Sequence, residues 1–119
     1  MAFVDGVVIA VPHSNRESYA GHAAAMADVF IACGAIEVVD AWAADVPEGK
    51  LTSFPMSVKA NADEAVVFSW IKWPDKATRD AGWEQAMKHP GMTGLPPDLF
   101  DAQRMIYGGF DIIQSRVKA

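Results

Sequence analysis

Residues Ala65 to Trp73 constrain the fold more than any other stretch of the chain. Val66, Phe68 and Trp70 alternate with Val67, Ser69, Ile71 and Trp73, so large apolar groups fall on both sides of an extended segment. Successive strand side chains point to opposite faces. A strand apolar on both faces is covered on both faces. Pro74 ends it at once and Asp75 is a helix N-cap residue, so the segment reads as a central strand feeding directly into a helix. Alternation alone does not say which of the two faces meets the helices.

The rest of the chain supplies partners for that strand. Phe3 to Val11 is rich in β-branched residues and reads as a first strand, also two-sided, ended by Pro12. Ser14 and Glu17 match a capping box, predicting a helix with Tyr19, His22, Ala23, Met26, Ala27 and Phe30 on one stripe and Gly34 as its stop. Ala35 to Ala43 reads as a second strand, Asp45 to Leu51 as a loop, and Thr52 to Lys59 as a short extra strand bent or ended at Pro55. Asn61 to Glu64 is a polar turn. A second helix runs from Asp75 to about His89, stopped by Pro90 and Gly91, with Gly82 lowering its propensity. Residues 91 to 98 are irregular, Leu99 to Gln103 allows a short turn, and Met105 to Ile113 is the last strand. The pair Gly108 and Gly109 inside it marks a bulge or a place of close packing on the backbone.

The order strand, helix, strand, strand, helix, strand predicts an α+β protein of the ferredoxin-like βαββαβ type, one domain spanning residues 1–119. Its four-stranded antiparallel sheet carries two helices on one face. Two helices cover one face only, whereas the strands are apolar on both. The second face is therefore expected to pair with the same face of another subunit, giving a homodimer through the open sheet face.

Composition narrows the function. The chain of 119 residues is 51% hydrophobic, with a formal net charge of -5 and no cluster of Lys and Arg. A groove that neutralises phosphates needs such a cluster, so neither nucleic acid nor an anionic membrane surface is an expected partner. The third strand also lacks the aromatic and basic motif of RNA-binding ferredoxin-like domains. No apolar run approaches the ~20 residues that cross a bilayer, and no signal peptide is read. The single cysteine, Cys33, forms no disulfide within the chain and fits a cytoplasmic location, as a small helix residue.

Within this frame the sharpest site candidate is His22, an imidazole inside an apolar helical stripe, suited to act as a general base or to orient a ligand. Its bland alternative is a core-edge histidine bonded to a backbone group or carboxylate. Asp5, Asp40 and Asp111 are carboxylates within strands. Close pairs of carboxylates shift each other's proton affinity; the plainer reading is an exposed or arginine-paired group, with Arg104 or Arg16 as partner. Trp42, Trp70, Trp73, Tyr107 and Phe110 make the sheet aromatic. Core and interface are the main uses of such residues, with Trp70 and Tyr107 the candidates for ligand contact. His13 and His89 read as solvated. No metal site is expected, since His13 and His22 lack ligand spacing and no further His or Cys joins them.

Phe3 to Gly6, Lys50 to Pro55 with Val67 to Ile71, and Arg104 to Phe110 together resemble the YbaA-like family of small bacterial proteins of unknown function. The resemblance covers nearly the whole chain. It implies a place in the dimeric α+β barrel superfamily, which includes cofactor-free monooxygenases acting on polyketides and quinols, haem-degrading enzymes and muconolactone isomerase-like proteins. Fold alone transmits none of these activities. The resulting expectation is a homodimeric binder of a small organic molecule, without cofactor, resembling a cofactor-independent monooxygenase. A non-enzymatic dimeric module for a ligand or partner is the alternative, and haem handling through His22 a lower one.

Overall fold

The computed structural model describes residues 1–92, 96 and 98–119. Four strands, β1 (Phe3–Pro12), β2 (Glu37–Trp42), β3 (Glu64–Trp73) and β4 (Ile106–Asp111), form one sheet in the order β2-β3-β1-β4. All neighbours are antiparallel. The helices are α1 (Arg16–Ala32), α2 (Phe54–Ser57) and α3 (Lys76–Lys88). This is the expected βαββαβ connectivity, with the two long two-sided strands, β1 and β3, at the centre. Part of the irregular stretch 91–98 lies outside the described residues.

The barrel implied by the family resemblance is not what the fold shows. β2 and β4 each pair on one side only, so the sheet is open with two edges. Closing a barrel requires the first and last strands to pair around a filled interior, which four strands do not achieve.

Register decides the faces. Asp40, Ser69, Val7 and Tyr107 lie in one row across the sheet, and Val38, Ile71, Asp5 and Gly109 in a parallel row of the same parity. This face meets α1 and α3, and it carries clusters built on Phe30, Ile71 and Trp73 and on Ile9, Tyr19 and Val67. The opposite face holds the rows Val39, Trp70, Gly6, Gly108 and Ala41, Phe68, Val8, Ile106. One end of it is covered by the segment after α2, where Val58 packs on Val8, Ala10 and Val66. The remainder exposes Phe68, Ile106 and Phe110.

Two glycines, Gly82 and Gly109, allow close approach. A Cβ on Gly82 would lie 2.4 Å from Cζ3 of Trp73, so a helix-disfavouring residue sits in α3 because the helix backbone rests on that indole. The paired glycines of β4 lie on opposite faces, and only Gly109 is closely approached. Gly109 leaves room for the Phe3 ring, and Gly108 lies beneath the ring of Phe110.

Two local expectations are corrected. Ser14 does not cap α1: it sits in a 3-10 turn, His13–Asn15, and the N-cap is Asn15, without a side-chain cap bond. The Asn15 amide instead donates to the carbonyls of Asp98 and Leu99 at 3.2 and 3.1 Å, tying the C-terminal loop to the start of α1. Thr52 to Lys59 is not a strand. Ser53 accepts from the Met56 N–H at 3.1 Å and Pro55 occupies the first turn, which starts the short helix α2.

Candidate functional site

α1 delivers Tyr19 and His22 to the sheet from positions three apart, which share a helical face. Their rings lie 6.0 Å apart. Beneath them the central row of the sheet brings Ser69, only 6% exposed, beside Asp40 of the edge strand. Ser69 Oγ donates to Asp40 Oδ1 at 2.6 Å. Ser69 also lies near the Tyr19 phenol, whose pKa it lowers. All four groups line one cavity of about 360 Å³ between α1, α3 and the sheet. That is within the range of small-ligand sites, about 300–1,000 Å³.

The remaining wall is apolar. Met26, Met87, Met92 and Met105 contribute thioethers, and Phe30, Phe100 and Trp83 contribute rings. Methionine walls adapt to ligand shape better than branched ones. Burial pushes the Tyr19 phenol up to about 12, the Asp40 charge adds to this, and Ser69 opposes it. Burial lowers the His22 pKa, against a smaller opposing pull from Asp40. At neutral pH the site therefore holds a neutral phenol and a neutral imidazole. The imidazole is free to accept a proton, and the phenol is not a source of charge. A second cavity of about 340 Å³ adjoins the first across Tyr19, Ala23 and Asp40, with Arg16 stacked 5.4 Å over the Trp42 ring at its side.

Of the residues singled out in the sequence, His22 and Asp40 come together here. Trp70 lies on the opposite sheet face, where its Nε1 donates to Glu37 Oε1 at 2.9 Å and its ring borders a groove with Phe68 and Phe110. Tyr107 shares the row of Ser69 and Val7 but stands on edge strand β4, 75% exposed. Asp111 is exposed opposite Phe3. Asp5 is 4% exposed and does not line the cavity. Its Oδ2 accepts from the indoles of Trp73 and Trp83, each at 2.9 Å, and Oδ1 from Arg79 Nη2 at 2.7 Å. Its arginine partner is thus Arg79 rather than Arg104 or Arg16. The register sets Asp5 beside Ile71, under the first turns of α3. Arg104 instead clasps Glu64 through two bonds of 2.7 Å and holds Asp101 and the Lys59 carbonyl.

Tyr19 and Ser69 are the site residues that sequence reasoning passed over as core. The available signals were the spacing of Tyr19 from His22 and the place of Ser69 as the lone hydroxyl in an apolar strand. Among the described residues, no three His, Cys, Asp or Glu side chains converge as a metal-holding group. No helix of the described residues is long and apolar enough to cross a membrane.

Fold and cavity together define a ferredoxin-like α+β protein with a ligand-sized chamber between sheet and helices. The profile of the family described as protein of unknown function DUF1428 matches residues 2–102. The chain is also 47% identical over 114 residues to the uncharacterized protein YbaA of Escherichia coli strain K12, covering 95% of this chain and 97% of that protein. It belongs to this family. Among solved structures, it is similar to SnoaB, a cofactor-independent oxygenase from Streptomyces nogalater, with a TM-score of 0.56, 18% identity and 95% of each chain covered. A Bacillus cereus protein assigned as an antibiotic biosynthesis monooxygenase gives a TM-score of 0.60 at 14% identity, covering 99% of this chain and 97% of that one. At such identities the likeness is one of fold.

Proposed function

We propose that this protein binds a small, largely apolar organic molecule in the chamber between α1, α3 and the sheet, and that His22 takes a proton from it. The observation that carries this reading is a neutral imidazole set beside the Tyr19 phenol and the hydrogen-bonded Ser69–Asp40 pair in an otherwise apolar cavity. Proton removal from an acidic O–H or C–H is the step that a cofactor-independent oxygenase needs to make its substrate electron-rich. The shared fold with SnoaB supports that class of chemistry. A chamber of about 360 Å³ is small for a porphyrin, which puts haem handling behind it.

The test is a thermal-shift and calorimetric screen against quinols, polyketide-like phenols, haem and short organic acids, followed by oxygen-consumption assays on every binder. The expected result is stabilisation by an aromatic hydroxyl compound, lost or sharply weakened in His22→Ala. Binding without turnover would instead favour a non-enzymatic ligand-binding module. Unchanged binding and turnover in His22→Ala would remove His22 from the site.

We further propose that the exposed part of the open sheet face pairs two subunits face to face, as a sandwich of open sheets. Phe68, Ile106 and Phe110 there are each more than two-fifths exposed, and Phe54 stacks edge-on against Phe68 at 5.7 Å. Sedimentation equilibrium should show a dimer at micromolar concentration and a monomer for Phe68→Asp. A monomeric wild type would remove this pairing.

A further inference from the structure

The charges around the chamber follow an order. The methionine thioethers and the rings of Phe30, Phe100 and Trp83 border the chamber alone. Asp40 borders both the chamber and the adjoining cavity, and Arg16 borders the adjoining cavity alone. Among the described residues, neither Arg16 nor Asp40 makes an ion pair, although they line the same recess. Arg79 and Arg104, by contrast, are each committed to carboxylates. Arg16 is held over the Trp42 ring at 5.4 Å, a contact that consumes none of its N–H donors. Asp40 Oδ1 takes the Ser69 hydroxyl at 2.6 Å, and its Oδ2 has no donor among the described residues. A cation and an anion, each with unused hydrogen-bonding capacity, thus lead from the recess to the apolar chamber.

We infer that the two cavities together take a zwitterionic α-amino acid with a bulky aromatic side chain: its carboxylate on Arg16, its ammonium on Asp40 and its side chain in the chamber. This deepens the proposed function and rests on the chamber being the binding site. The order of the three contacts matches the molecule, in which both charged groups and the side chain leave one carbon. A guanidinium fork fits a carboxylate, and an ammonium brings only donors, which Asp40 Oδ2 accepts. Ala20, Ala23 and Ala24 present only methyl groups to the recess, which leaves space for the head group. A phenolic side chain brings its acidic O–H into the chamber that holds His22. Ligands with a single charge are disfavoured. An acid without an amine brings a second carboxylate up to Asp40, and an amine without an acid meets Arg16. Selectivity then comes from repulsion as well as attraction.

The experiment compares L-tyrosine with tyramine, phloretate and p-ethylphenol, which keep the hydroxyphenyl body and lack the carboxylate, the amine or both. Dissociation constants are measured by calorimetry and ligand-detected NMR on the full chain. In the wild type, tyrosine should bind about tenfold more tightly than each of the other three. Arg16→Gln should bring tyrosine to the level of tyramine. Asp40→Asn, which keeps an oxygen acceptor for Ser69, should bring it to the level of phloretate. Both positions are exposed, and circular dichroism checks that each variant is folded. Tyrosine binding within about twofold of p-ethylphenol, tyramine or phloretate overturns the inference. So does an advantage that survives both substitutions in folded variants. Binding of p-ethylphenol in either case leaves the chamber standing as the binding site. Failure of all four to bind also overturns the inference, and the wider screen then decides the proposed function.

Discussion

The indole N–H of Trp73 donates to the carboxylate of Asp5 at 2.9 Å, between two residues 68 positions apart and both buried. The same carboxylate takes the Trp83 indole and the Arg79 guanidinium. Four polar groups are thus satisfied by one another in a layer that would otherwise be dry. This is how a strand apolar on both faces carries an aspartate in its interior. The cluster also orients Trp83, whose ring forms part of the chamber wall and meets Phe30 at 4.7 Å.

Removing the carboxylate leaves two indole N–H groups with no acceptor and the Arg79 guanidinium with Asp80 alone. Asp5→Ala is expected to lose about 3–5 kcal/mol of stability, the usual cost of breaking a buried pair on one side. Asp5→Asn, which keeps an acceptor oxygen, should lose less. Urea unfolding followed by tryptophan fluorescence measures both. A loss below about 1 kcal/mol for the alanine variant would show that the cluster is not a stability centre.

Two glycines of helical sequence give opposite outcomes on substitution by alanine. In Gly82→Ala the new methyl would fall 2.4 Å from Trp73 and 2.8 Å from the Cys33 carbonyl, so overpacking outweighs the gain in helix propensity and Tm falls. Gly21 has nothing within 4 Å of its would-be Cβ and is exposed on α1. Gly21→Ala should therefore stabilise by about 1 kcal/mol. Calorimetric Tm values for the pair check the sign of each.

His22 makes stability depend on pH. Burial lowers its folded-state pKa below the ordinary 6.5, so just below that pH the unfolded chain binds more protons than the folded one. Stability is complete above the unfolded pKa and declines as pH falls through the window between 6.5 and the lowered value. Glu64, Asp75, Asp80 and Asp101 have carboxyls held below their ordinary range by hydrogen bonds, so their losses come in more acidic solution. His22→Gln should flatten the decline between about pH 7.5 and about pH 5.5 in denaturant titrations. An unchanged slope would mean that His22 is solvated in solution.

Arg104 joins the start of β3, through Glu64, to the turn that precedes β4. Met105 follows it directly and Phe100 lies just before that turn; both line the chamber. Arg104→Gln is expected to lower Tm and to weaken binding of any chamber ligand, with no substitution inside the cavity. Methyl-selective NMR of Met105 would show broadening or a shift. An unperturbed Met105 signal together with unchanged affinity would separate the clasp from the site.

Order and type of the main elements were legible because they rest on local patterns. Alternation marked β1 and β3, and the 3.6-residue stripe marked α1. Asp75 was readable as a cap, and it does accept from the Thr78 N–H at 2.7 Å. α2 was not legible, since four residues are too few for a helical period and Pro55 reads equally as a strand break. Ser14 and Glu17 carried a capping pattern that went unused, because Asn15 bonds to residues more than 80 positions away. No local rule contains such a contact.

The sequence by itself determined a two-sided central strand at Ala65 to Trp73 and the ferredoxin-like order around it, because side-chain periodicity is a property of neighbouring residues. Only the tertiary structure decided which face is which. Antiparallel register with β1 and β2 turns Ser69 and Ile71 toward the helices and Phe68 and Trp70 away from them. A shift of one residue would exchange the two sets. That choice places Ser69 between Tyr19 and Asp40 and sends Trp70 to the open face. The site is made from three segments distant in sequence, and their meeting depends on how the strands align.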